Sequence, residues 1–210
     1  MNPHAMPGTL EVIAGCMYSG KTRKLLERID SLVQREKILQ LPYKTFLLFN
    51  PITNTRDREI KSRYSDVKQH CIRFDTDNPY QILDHLAQEE AKQEQSIDLV
   101  ACDEVQFLPR AIIPITEKLL RQGKTVIYAG LDMDFRGEPF GEMGSLVLMA
   151  DRVYTLTAVC NVCGGKATRT QRLRDGKPVL YDDSIIQVDT GGDEYQARCF
   201  LHHDVPGKPD

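Results

Sequence analysis

Six apolar runs of strand length punctuate the chain: LEVIA at 10–14, TFLLF at 45–49, HCIRF at 70–74, IDLVAC at 97–102, TVIYAG at 125–130 and VYTLTA at 153–158. Most are apolar at consecutive positions. Both faces of such a strand are buried, as in a parallel sheet covered by helices. Between the runs the period lengthens. Leu25, Leu26, Ile29, Leu32 and Val33 share one face of a helix, and Ile82, Leu83 and Leu86 share another that Asn78-Pro79 opens. The resulting order, β-α-β-β-α-β-α-β-α-β, is that of an α/β fold with crossover helices. The polar stretch RDREIKSRYSD at 56–66 reads as exposed, mobile loop. Past Leu156 the periodicity fades, Gly, Thr, Arg and Asp dominate, and paired cysteines appear. A boundary near 153 divides the chain into 1–153 and 154–210.

Composition adds limits to this picture. A chain of 210 residues, 41% hydrophobic, is the size of one α/β domain with a small appendage. A formal charge of −3 gives no reason to expect a nucleic acid or an acidic membrane as the main partner. MNPHAMPGTL lacks a basic start followed by an apolar core, and runs such as SLVLMA are far too short to span a bilayer. A cytoplasmic protein acting on small molecules is expected.

Gly15-Cys16-Met17-Tyr18-Ser19-Gly20-Lys21-Thr22 fits G-x-x-x-x-G-K-[ST], and it stands where that motif has meaning, after a strand and before a helix. Glycines let backbone N–H groups converge on phosphate oxygens, and the helix N-terminus adds partial positive charge. Lys21 would neutralise the β and γ phosphates of ATP, and Thr22 would bind Mg²⁺.

The run IDLVACDEVQF ends a buried strand in Asp103-Glu104, and strand carboxyl ends are where ligands sit in open α/β sheets. Asp103 can hold Mg²⁺ through water while Glu104 takes a proton. Transfer to water would make the chain an ATPase, and transfer to a substrate hydroxyl a kinase. The motif alone does not choose between them.

Cys160-x-x-Cys163 and Cys199-x-x-His202 have the knuckle spacing of tetrahedral zinc. With four protein ligands the metal would be structural, and His203 is a possible substitute for His202. Cys16, Cys71 and Cys102 stand alone and read as small buried hydrophobes. The 35 residues between the two pairs are more than a zinc ribbon usually carries. Zinc would tie both ends of that excursion to one point, so that it could cover a site as a lid.

GCMYSGKT, DEVQF, GLDMDFRGEPFG, TRTQRL and GGDEY occur in this order, with CxxC and CxxH around the last two. Together they closely resemble the cytosolic-type (type II) thymidine kinases over nearly the whole chain. The resemblance implies a RecA-like P-loop domain, a parallel sheet flanked by helices, followed by a small zinc-bound lasso domain that covers the nucleoside. It implies transfer of the γ-phosphate of ATP, with Mg²⁺, to the 5′-hydroxyl of thymidine, with deoxyuridine accepted as well. It also implies a homotetramer inhibited by thymidine triphosphate. Glu104 matches the general base. Gly15, Ser19, Gly20, Lys21, Thr22, Asp103 and Gln106 fall to ATP, and Met17, Phe107, Leu131, Phe135, Thr170 and Tyr195 surround the nucleoside base. An apolar and aromatic pocket suits thymine and its methyl group, and Gly191 and Gly192 suit a backbone that must approach it closely.

One segment departs from the family. Lys61-Ser62-Arg63-Tyr64 stands where Asp-x-Arg-Tyr is usual, so a cation replaces an acidic position, although Asp57 lies just before it. The Mg²⁺ shell legible here is Thr22 and Asp103. Two rival classes remain, a P-loop ATPase with a structural zinc ribbon and a zinc-ribbon nucleic-acid binder. The binder needs a basic zinc segment. Lys166, Arg169, Arg172, Arg174, Lys177 and Arg198 are matched one for one by Asp175, Asp182, Asp183, Asp189, Asp193 and Glu194, so direct nucleic-acid binding is not expected.

Overall fold

The computed structural model describes residues 7–39, 45–51, 59–61, 68–185 and 192–209. Six parallel strands form the central sheet: β1 (Thr9–Gly15), β2 (Phe46–Pro51), β5 (Ile72–Phe74), β6 (Leu99–Cys102), β7 (Thr125–Gly130) and β8 (Arg152–Leu156). Their spatial order is β5-β2-β6-β7-β1-β8. The crossovers are α1 (Lys21–Ile38), α2 (Gln81–Gln93), α3 (Ile112–Arg121) and α4 (Met143–Met149). This is the α/β order read from the hydrophobic runs.

Strand alternation sorts the core into two layers. Leu10, Val12, Ala14, Phe49, Val100, Val126 and Tyr128 pack with Ile82 and Leu86 of α2, Ile115 and Leu119 of α3, and Leu146 of α4. On the opposite face Ile13, Leu48, Leu99, Ala101, Ile127 and Ala129 pack against Leu25, Leu26, Ile29 and Leu32 of α1. Among the described residues, α1 alone of the helices covers that second face, with its apolar stripe turned to the sheet. Pro114 falls in the first turn of α3, where its missing N–H would have had no helical partner.

Three expectations need correction. Part of the stretch 56–66 is not loop: β3 (Glu59–Lys61) pairs antiparallel with β4 (Lys68–His70). HCIRF is accordingly not one strand. His70 pairs with Glu59 of β3, Cys71 is buried against the α1 layer, and only Ile72–Phe74 joins the central sheet. The run 153–158 divides too. β8 ends at Leu156 and β9 (Ala158–Val159) begins a separate pair with β10 (Lys166–Ala167). The central sheet therefore runs past position 153. Beyond it, β11 (Arg169–Arg174) is flanked by β12 (Lys177–Pro178) and β13 (Asp193–Arg198) in an antiparallel sheet. Ser62, Arg63, Tyr64, Asp57 and Gly191 lie outside the described residues, and Lys61 is described by its place in β3 alone. Among the described residues, no helix is long and apolar enough to cross a membrane.

Candidate functional site

The loop after β1 turns at the carboxyl end of the sheet. A Cβ on Gly15 would fall 2.5 Å from the Leu156 carbonyl oxygen, so only glycine lets β8 run this close. Gly20, at φ 85°, swings the chain into α1. Lys21 is buried and donates to the Cys16 carbonyl at 2.9 Å, so its ammonium lies folded over the loop. The Ser19 hydroxyl is buried with no protein partner. A helix start, a buried cation and an orphaned hydroxyl make a set of donors suited to a phosphate group.

Thr22, in the first turn of α1, donates from Oγ1 to Asp103 Oδ2 at 2.8 Å. Burial pushes the Asp103 carboxyl up to about 7; the neighbouring Glu104 adds to the rise, and the Thr22 hydrogen bond and Lys21 oppose it. Glu104 follows at φ 54°, a left-handed conformation rare for a side chain of its kind. Its Oε2 accepts from Gln106 Nε2 at 2.6 Å, while Gln106 Oε1 accepts the Leu131 N–H at 3.1 Å. Thr22 and Asp103 offer the oxygen donors that a hard divalent cation takes.

The residues assigned to a nucleoside come from both ends of the chain. Met17 donates its N–H to Thr170 Oγ1 at 3.0 Å, and the hydroxyl of the adjacent Tyr18 donates to the Tyr195 carbonyl at 3.0 Å. The phosphate loop is thus bonded to both β11 and β13. Phe107 meets Phe140 edge to face at 5.4 Å between centroids. Leu131 is half-buried beside Gln106. Phe135 is buried, with the guanidiniums of Arg172 and Arg136 at 5.4 and 5.5 Å from its ring centre.

Cys160, Cys163, Cys199 and His202 converge, their ligand atoms all within 4.8 Å of one another. Tetrahedral zinc, with bonds of about 2.0–2.3 Å, separates its ligand atoms by roughly 3.3–3.8 Å. The Cys163–Cys199 and Cys160–His202 pairs stand at 3.9 Å and the Cys199–His202 pair at 3.1 Å. The donor set and its spacing fit a metal such as zinc. Burial works to raise the Cys160 thiol, but the backbone N–H groups of Cys163, Cys199 and Val162 outweigh it and bring the thiol down to about 6, a value that favours the ligating thiolate. His203, considered as a substitute ligand, is not part of the cluster; its Nε2 donates to the Phe135 carbonyl at 2.8 Å. Cys16, Cys71 and Cys102 are buried, as their isolation in sequence suggested.

The motif reading missed Arg172 and Asp193. Arg172 is 0% exposed. It donates from Nε and Nη2 to Asp193 Oδ2, the former at 2.8 Å, and from Nη1 to the Ser184 carbonyl at 2.6 Å. It thereby joins the two ends of the segment that runs from Ser184 to Asp193. Both residues lie inside quoted motifs or beside them, but nothing local marks an arginine in TRTQRL as buried. Arg136 is a second such case, donating to the Asp183 carbonyl at 2.8 Å and stacking over Tyr181 at 4.9 Å.

The thymidine kinase family model matches residues 8–203. A thymidine kinase of Coprothermobacter proteolyticus is 42% identical over 202 residues, which cover 96% of this chain and 93% of the relative. A match that spans the phosphate loop, the Asp103-Glu104 pair and the metal cluster alike shows that the chain belongs to the thymidine kinase family.

Proposed function

We infer that this chain transfers the γ-phosphoryl group of ATP to the 5′-hydroxyl of thymidine, giving thymidine monophosphate and ADP, with deoxyuridine as a second acceptor. The observation that carries this reading is the placement of Glu104 next to Asp103, so that a proton acceptor adjoins the phosphate side of the site. The 5′-oxygen attacks the γ-phosphorus in line as its proton passes to Glu104. The bond to the bridging oxygen breaks, and ADP leaves with the electron pair. Such a transfer owes most of its rate to positioning and charge neutralisation. Lys21, the loop amides and Ser19 bear on the phosphates. Thr22 and Asp103 would hold Mg²⁺, which supplies charge neutralisation when bound.

In this reading the part of the chain up to the end of β8 at Leu156 is the ATP-binding unit, a few residues past the boundary near 153, and the rest is the zinc-bound unit over the nucleoside, with Met17, Phe107, Leu131, Phe135, Thr170 and Tyr195 around the base. A cytoplasmic homotetramer inhibited by thymidine triphosphate belongs to the same proposal. It is tested by sizing the protein in solution and by titrating the triphosphate into the assay.

The deciding experiment is Mg²⁺-dependent ATP consumption with thymidine, deoxyuridine, deoxycytidine or no acceptor. Consumption matched by thymidine monophosphate supports the kinase. Equal consumption without a nucleoside would make the chain an ATPase, with Glu104 activating water.

A further inference from the structure

The carboxylate of Glu104 is useful only if one of its oxygens faces the acceptor, yet its backbone is in a sparsely populated conformation with φ 54°. Such a residue persists where its surroundings hold it. The 3₁₀ turn Val105–Phe107 follows at once, closed by Phe107 N–H to the Glu104 carbonyl at 3.2 Å. This turn folds the Gln106 side chain back over Glu104.

The orientation of the Gln106 amide is set from the far side. The Leu131 backbone N–H can only donate, so the oxygen of Gln106 faces it and the NH₂ faces Glu104. Gln106 itself is 2% exposed. A Cβ on Gly130 would lie 2.7 Å from Gln106 Oε1 and equally close to Met143 Sδ, so the end of β7 leaves this amide no other place. With Gln106 on Oε2, no donor among the described residues reaches Glu104 Oε1.

We propose that Gln106 is a positioning residue for phosphoryl transfer: its amide, clamped by the Leu131 N–H, turns the Glu104 carboxylate so that Oε1 meets the acceptor hydroxyl. This rests on Glu104 being the proton acceptor. It also assigns Gln106 a role different from direct contact with ATP. Because Leu131 is one of the residues assigned to the nucleoside, the same amide joins the wall of that pocket to the base.

The test combines Gln106→Met, which keeps the length and loses both hydrogen bonds, with Gln106→Glu, which can still accept from Leu131, and a cycle through Glu104→Gln. Gln106→Met should lower kcat about 10- to 100-fold, the scale of a misplaced reacting group, with the KM for ATP and for thymidine changed less than about threefold. Gln106→Glu should lose kcat as well, since it puts a second carboxylate against Glu104, and it keeps the test open if the apolar variant does not fold. In a Glu104→Gln background, Gln106→Met should cost less than about twofold. Full kcat in both single variants, or a rise in the KM for ATP alone, overturns the proposal. An equal loss with and without Glu104 also overturns it, since Gln106 would then act on something else. Near-normal turnover of Glu104→Gln alone would instead remove Glu104 as the proton acceptor, an outcome distinct from any failure of Gln106.

Discussion

Thr22 and Asp103 are separated by 81 positions in sequence and joined by a 2.8 Å hydrogen bond. The strands that precede them, β1 and β6, are not neighbours; β7 lies between them. The bond spans the carboxyl end of the sheet, where a phosphate and its cation would sit.

That bond holds a carboxyl that is costly to ionise. Asp103 titrates near 7 when folded, against an ordinary 3.8, because it is buried and faces Glu104. The folded chain therefore binds this proton more tightly than the unfolded chain. The associated stability is complete below about pH 4 and is lost as pH rises through 7. Asp103→Asn removes the titration. In urea melts without nucleotide, the variant should be more stable than the parent at pH 8, on the order of 1–4 kcal/mol, and closer to it at pH 4. The same variant should lose most turnover. An identical pH dependence of stability in the two proteins would contradict the assignment.

Glu104→Gln keeps the shape of the site and removes the proton acceptor. Turnover should fall about 10² to 10⁴-fold, while calorimetric binding of thymidine stays within a few-fold of the parent. Normal turnover would take Glu104 out of the chemistry.

The metal cluster also reaches the phosphate loop. Cys16, Cys160, Ala167 and Ala197 share one small core, packed against Tyr18 and Cys199. Cys160→Ser, or removal of metal by a chelator, should free the C-terminal strands and weaken thymidine binding at least about tenfold before the central sheet unfolds. Two separate thermal transitions are expected, the first moving with zinc content. One transition that carries both signals would show instead that the units melt together.

The parts of the site legible in sequence are those held by neighbours in sequence. The loop 15–22 needs glycines at fixed spacing, Asp103-Glu104 ends an apolar run, and Cys160, Cys163, Cys199 and His202 come in tight pairs. Each pattern states its own geometry. The pairing of β3 with β4 was not legible, because polar residues there give no apolar alternation to read. Gln106 could be seen as part of DEVQF, but its bond to Leu131 depends on β6 and β7 being adjacent. Arg172 is the extreme case. A buried arginine is legible only through its partners, and Asp193 and Ser184 come from elsewhere in the chain.

Arg172 gives the last prediction. Its guanidinium grips Asp193 through two nitrogens and the Ser184 carbonyl through the third, below the ring of Phe135. Arg174 Nε donates to the other oxygen of Asp193 at 3.1 Å, so this carboxylate is the fixed post to which the segment's far end is tied. Removing one member of a buried pair costs about 3–5 kcal/mol when the other is left alone; Arg174 stays on Asp193, so the cost falls toward the lower figure. Arg172→Met should untie Ser184 from Asp193 and, on the proposed role of the C-terminal unit in covering the nucleoside, raise the KM for thymidine about 10- to 100-fold with little change in the KM for ATP. Arg172→Lys should recover little, because an ammonium cannot make the forked contact. Replacing both partners, Arg172→Met with Asp193→Leu, should restore stability better than thymidine binding, since burial is satisfied without the tie. Equal rises in both KM values on Arg172→Met would place the damage in the whole fold and not in the segment that Arg172 closes.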